Sequence, residues 1–138
     1  MPIKLNWLIE GVLAEQVFTG DVTLEDVEWL AESMIPLMDS SDRPLVHVIA
    51  DVTEMTSLTK SVAGLQRVLK PVLSHPKYGW LVVYGMENKI IRFVFQLVTA
   101  PQQVRTRLFG SREECVTFLK TVDAHLSELV DEQQINLT

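Results

Sequence analysis

Two short apolar runs constrain this chain more than any other feature. Leu45 to Ala50 is interrupted only by His47, and Trp80 to Tyr84 is apolar or aromatic throughout. Each is too short for a helix and too uniformly apolar for a strand with one wet face. That combination describes a strand covered on both sides. Asp51 closes the first run and Gly85 the second. A sheet built on them needs helices over both faces, and the intervening segments supply helices.

The chain opens with two more strands. Lys4 to Glu10 alternates, with Leu5, Trp7 and Ile9 on one face, and Val12 to Thr19 follows after a tight turn at Glu10-Gly11. Gly20-Asp21 is expected to break that second strand. Thr23 and Asp26 form a capping box for a first helix from Leu24 to about Met38, whose apolar side includes Val27, Leu30, Met34 and Met38. Asp39 to Pro44 reads as a polar loop. Val52 to Leu58 reads as a connector, after which Thr59 or Ser61 starts a second helix with a stripe of Val62, Leu65, Val68, Leu69 and Val72. Pro71 should end or kink it. His75 to Gly79 is a turn, with His75 facing solvent. Asn88 caps a third helix that runs to about Thr99 and is stopped by Pro101. Val104 to Phe109 is a short last strand. Ser111 and Glu114 box a fourth helix that carries Cys115, Phe118, Leu119, Val122, Leu126 and Leu129 on one side.

The element order is therefore ββαβαβαβα: an α/β fold with a mixed five-stranded sheet covered by four helices. One domain over residues 1–130 accounts for the 138 residues, with a polar tail from 131 to 138. The lone cysteine, Cys115, excludes an internal disulfide and fits a reducing compartment. No signal peptide and no membrane-spanning run is readable, so the cytoplasm is the expected location. A formal net charge of −6 argues against broad nucleic-acid binding.

The element order, together with Phe18 to Asp26, Val48 to Thr53, His75 to Trp80 and Leu108 to Cys115, resembles the STAS domain, the anti-sigma-factor antagonist fold. It is similar in particular to small bacterial proteins of the sporulation-regulator type. The resemblance covers nearly the whole chain and implies a non-enzymatic regulatory module that works through protein contact. In regulatory members a Ser or Thr at the start of the second helix is phosphorylated within an Asp-Ser-Ser-Gly pattern. Met55-Thr56-Ser57-Leu58-Thr59 matches that stretch here, and Ser57 falls nearest the acceptor position without the Asp and Gly of the pattern.

Read on their own chemistry, the residues offer no cofactor site. His47, His75, His125 and Cys115 lack metal-ligand spacing. No glycine-rich phosphate loop and no nucleophile elbow occurs. Cys115 reads as a small core residue, and His47 as a core histidine whose ring finds one partner. The polar connector after Asp51 lies where open α/β sheets bind ligands. Asp51, Thr53, Thr56 and Asn88 form that candidate ligand edge, unless the Thr and Ser side chains serve only as turn and helix caps.

The third helix is unusually apolar. Ile90, Ile91, Phe93, Val94, Phe95, Leu97 and Val98 cover roughly 200° of its circumference. The surplus is expected to pack within the chain, to form an interface or membrane-surface contact, or to wall a pocket for a small apolar, lipid-like ligand. Trp29 lies opposite the core stripe of its helix, either as a contact or folded over its own helix. Trp29, Ile91, Phe93 and Phe95 are thus candidate interface residues, with a homodimer, and possible further contact with another regulatory protein, as the expected partnership.

Overall fold

The computed structural model describes residues 2–132. Its elements are β1 (Ile3–Ile9), β2 (Leu13–Val22), α1 (Leu24–Ser40), β3 (Val46–Leu58), α2 (Val62–Leu73), β4 (Tyr78–Tyr84), α3 (Lys89–Thr99), β5 (Arg105–Phe109), α4 (Arg112–Val122) and α5 (Ala124–Glu132). One sheet holds the strands in the order β1-β2-β3-β4-β5. β1 runs antiparallel to β2, and every later pair is parallel. The two apolar runs thus lie in interior strands, β3 and β4.

That order fixes where the helices go. From β2 to β5 each crossover steps in the same direction across the sheet. Right-handed connections then place all the intervening helices on one face. The core agrees: Val27, Leu30 and Met34 of α1, Leu65 and Val72 of α2, and Ile91, Val94 and Val98 of α3 pack on Ala14, Val48, Ala50 and Val83. The other face is left to the chain after β5. There Cys115 and Leu119 of α4 and Leu126 and Val130 of α5 cover Leu13, Ile49 and Val82.

Five local expectations are corrected. Gly20-Asp21 does not end β2. Gly20, at φ +66°, takes part in a register shift, and the strand continues to Val22. Val52 to Leu58 is not a connector. It extends β3 along that continuation, pairing Thr19 with Glu54, Gly20 with Met55 and Asp21 with Ser57. β4 leaves the sheet after Tyr84, which is paired with Asp51, so the ends of β2 and β3 run on as a two-stranded arm.

The expected fourth helix is two helices, α4 and α5. Asp123 between them has extended backbone (φ −142°, ψ 103°), and its Oδ1 accepts from the Leu126 N–H. Val122, expected to face the core, is exposed. His75 does not simply face solvent: its Nε2 lies 2.8 Å from Asp39 Oδ1, and its Nδ1 accepts from the Lys77 N–H.

The helix caps follow the sequence more closely. Thr23 and Asp26 form a reciprocal capping box. At α4 Ser111 Oγ accepts from the Glu114 N–H, but the Glu114 carboxylate returns to the Gly110 N–H. Pro71 sits within the last turn of α2, and α3 gives way to a single 3₁₀ turn at Ala100–Gln102, which holds Pro101. Asp131 belongs to α5, and the remainder of the expected tail, from residue 133, lies outside the described residues.

Candidate functional site

The carboxyl edge of the parallel strands carries the polar residues, and the residues expected there fall into separate groups. Asp51 Oδ1 accepts from the Thr53 N–H at 3.0 Å, so the carboxylate closes a local turn within β3. Asn88 caps α3, its Oδ1 accepting from the N–H groups of Ile90 and Ile91. Thr56 and Ser57 lie on the arm of β3 and both donate to Asp21 Oδ1, at 3.1 and 2.7 Å. The chain thus joins Asp51 to Thr53 and Thr56 to Ser57, and uses Asn88 as a helix cap.

Ser57 is not at the start of α2. That helix is capped by Ser61, whose Oγ accepts from the Gly64 N–H. Ser57 is exposed on a strand, and its hydroxyl is engaged by Asp21. The hydroxyls of Ser57 and then Thr56 hold the Asp21 carboxyl below its ordinary value of 3.8, against a slight opposing effect of desolvation. Asp21 carries no signal in the sequence, because Gly20-Asp21 has the composition of a strand break. Its role depends on a register shift.

A second polar group lies under the first turn of α4. Arg112 Nη1 approaches Glu15 Oε2 at 2.5 Å, a charge pair without hydrogen-bond alignment. Tyr84 bonds both Asp51 and Arg112, and burial followed by the Asp51 carboxylate pushes its hydroxyl up to about 12. Glu15, Asp51, Tyr84 and Arg112 therefore link β2, β3, β4 and α4 through polar contacts. The pattern was hidden in the sequence because its members are far apart along the chain.

Two groups with catalytic potential are otherwise employed. His47 is buried with two partners rather than one: Nδ1 accepts from the Trp80 N–H at 2.9 Å, and Nε2 stands 2.8 Å from Asp123 Oδ2. The acceptor role of Nδ1 leaves the proton on Nε2. Cys115 is fully buried, and burial pushes its thiol up to about 12, which disfavours the nucleophilic thiolate. Among the described residues no cluster of His, Cys, Asp and Glu could hold a metal ion, and no helix is long and apolar enough to cross a membrane.

The candidate interface residues also separate. Trp29 is 37% exposed on α1. Phe93 is 59% exposed, with Ile90 and Leu97 beside it in the helical repeat at 61% and 40%. Ile91 is buried in the core of its own chain, and Phe95 packs half-buried against that core. The outward strip of α3 is thus Ile90, Phe93 and Leu97.

No family model matches the sequence, and no curated protein matches it. Solved structures do. A DUF3478-family protein from Shewanella loihica PV-4, described as having a SpoIIAA-like fold, superposes with a TM-score of 0.59 at 15% identity, over 85% of this chain and 91% of that one. The anti-sigma-factor antagonist SpoIIAA in its unphosphorylated form superposes with a TM-score of 0.53 at 15% identity, over 86% of this chain and 97% of that one. Element order, sheet order and both superpositions agree: the chain has the SpoIIAA-like, STAS-type fold.

Proposed function

We propose that this domain is a non-catalytic regulatory module of STAS type, acting in the cytoplasm through protein–protein contact, and that its first partner is a second copy of itself. The observation that carries the reading is the outer strip of α3. Ile90, Phe93 and Leu97 share one helical face and leave large apolar side chains in water. A two-fold contact would cover such a strip with no second gene product. The likeness to an anti-sigma-factor antagonist supports the same kind of work, contact with another regulatory protein. The test is light scattering at micromolar concentration. We expect a dimeric mass that Phe93→Glu reduces to the monomer. A monomeric mass for the unaltered chain overturns the self-association.

A second reading, a carrier or sensor of a small apolar ligand, draws on a different observation. The inner side of α3, through Phe95, Val98 and Thr99, walls an apolar cavity over the sheet. The ligand in this reading sits behind helix 88–99 rather than upon it.

A further inference from the structure

The cavity lies between the sheet and helices α1, α2 and α3, and has a volume of about 100 Å³. Its wall is almost wholly apolar and contains no charged residue; Gln16, Tyr78 and Thr99 are its polar members. Thr99 is satisfied within its own helix, its hydroxyl donating to the Phe95 carbonyl at 2.9 Å. Gln16 is not. It is 6% exposed, makes no side-chain hydrogen bond among the described residues, and keeps its carboxamide open to a water-sized molecule. The Tyr78 hydroxyl likewise makes no such bond, and burial alone raises it above its ordinary value of 10.0.

The position of Gln16 makes this costly for folding. In β2 it alternates with Ala14 and Phe18 on the face that meets the helices, and it pairs with Ala50 in β3. A leucine or valine there would pack without loss. The carboxamide keeps some surface open to a water-sized molecule at the cavity wall, yet it makes fewer hydrogen bonds there than in the unfolded chain. The room in front of it comes from small neighbours, Ala50 on the sheet and Ala31 on α1. A pocket that is mostly apolar, with a few polar groups facing in, is the common form of a small-molecule site.

We infer that this cavity is a binding site for a small uncharged molecule with an apolar body and one hydrogen-bonding group, the latter meeting the Gln16 carboxamide. The inference deepens the carrier reading and rests on it. The guest is uncharged because nothing in the wall would pair an ion, and desolvating an unpaired ion is prohibitive. It is small because a cavity of roughly 150 Å³ takes a single benzene ring. Met34, Met55 and Met86 line this one, and flexible thioether chains let a tight wall yield to a ring of that size. The group that fits the carboxamide best is a hydroxyl, since both can donate and accept.

Phenol and toluene, nearly equal in shape, serve as probes. The readout is the ¹³C-labelled methionine methyl spectrum of the whole chain, with Met38, buried but outside the wall, as the internal control. Saturable shifts at Met34, Met55 and Met86, with Met38 unmoved, place the probe in the cavity. Phenol should bind at least as tightly as toluene despite being less hydrophobic. In Gln16→Leu the ratio of phenol to toluene affinity should fall roughly fivefold or more, the loss of one hydrogen bond. Gln16→Met serves the same purpose should Gln16→Leu fail to fold, and the comparison in the unaltered chain needs no variant. No saturable shift with either probe overturns both the inference and the carrier reading. Toluene binding well above phenol, or a ratio unmoved by either variant, overturns the polar anchor alone and leaves a purely apolar pocket.

Discussion

Nε2 of His47 lies 2.8 Å from Oδ2 of Asp123, so a buried ring in an interior strand is tied to the residue that separates α4 from α5. The same ring accepts the Trp80 N–H from β4. One side chain therefore bonds its neighbouring strand and the layer of helices above it. Asp123 has two duties as well, because its Oδ1 accepts the Leu126 N–H in the first turn of α5.

Asp123→Ala should therefore cost more than an ordinary helix cap. It removes the cap, worth about 1 kcal/mol, and strands a buried imidazole N–H, worth about 1–3 kcal/mol. A loss of about 2–4 kcal/mol is expected in urea denaturation. Burial works to raise the Asp123 carboxyl, but bonds from His47 and the Leu126 N–H hold it below its ordinary 3.8. A depressed carboxyl stabilises the fold above its unfolded value, and that contribution is lost as pH falls through the folded value. The gap between the unaltered chain and Asp123→Ala should thus narrow below about pH 4. A gap that stays constant on acidification would remove the carboxylate from the account.

Gly85 and Gly20 both have positive φ, at +84° and +66°, yet alanine should affect them unequally. A Cβ on Gly85 would stand 2.4 Å from Thr53 Oγ1 and 2.9 Å from the Thr53 backbone. A Cβ on Gly20 would meet nothing within 4 Å. Gly20→Ala should cost about 1 kcal/mol in backbone strain alone. Gly85→Ala adds a clash with main chain and should cost about 2–4 kcal/mol. Thermal unfolding of the two variants side by side decides this, and equal losses would mean that β3 simply moves aside.

Ile91 and Phe93 stand two residues apart on α3 and should answer to different assays. Ile91 is 8% exposed and fills the core, so Ile91→Ala should lower stability by about 2–4 kcal/mol and leave association untouched once folded. Phe93→Ala should leave the unfolding of the dissociated chain within about 0.5 kcal/mol and weaken self-association. Sedimentation velocity paired with denaturation separates the two. A large stability loss for Phe93→Ala in the monomer would place that ring in intrachain packing.

The parts of this fold that announced themselves are those whose cause is local. The double-sided burial of Val46 to Ala50 and Leu81 to Val83 is written in uninterrupted apolar residues, and the start of α1 in Thr23 and Asp26. What stayed hidden depends on residues distant in sequence. Asp123 continues the helical period of its neighbours, and its departure from the helix accompanies a bond to His47, 76 positions away. Thr56 and Ser57 looked like a connector because only the continuation of β2 past Gly20 makes them a strand. The cavity is a remainder of packing that no single residue encodes. Gln16, at an inward position of β2, was the one mark it left in the sequence.

Ser57 and Asp21 are coupled through a single hydroxyl. Ser57 is exposed, so a kinase could reach it, but its hydroxyl is already the closer of two donors to Asp21 Oδ1. Phosphate at this position would remove the donor and set up to two negative charges beside the Asp21 carboxylate. The sign of the coupling can be read without any kinase. The Ser57 hydroxyl is the largest influence lowering the Asp21 carboxyl, with Thr56 next. In Ser57→Ala the carboxyl should therefore titrate closer to 3.8 than it does in the unaltered chain, with Thr56→Ala giving a smaller rise in the same direction. Carboxyl-carbon NMR titration reads both. Ser57→Glu should raise it further and loosen the paired ends of β2 and β3, seen as faster amide exchange at Asp21, Val22 and Leu58 while Val48 to Ala50 stay protected. If Ser57→Ala leaves the Asp21 titration unmoved, the hydroxyl bond does not persist in solution. Phosphorylation would then break no preformed hydrogen bond and would meet only the repulsion of Asp21, its partner in the strand register.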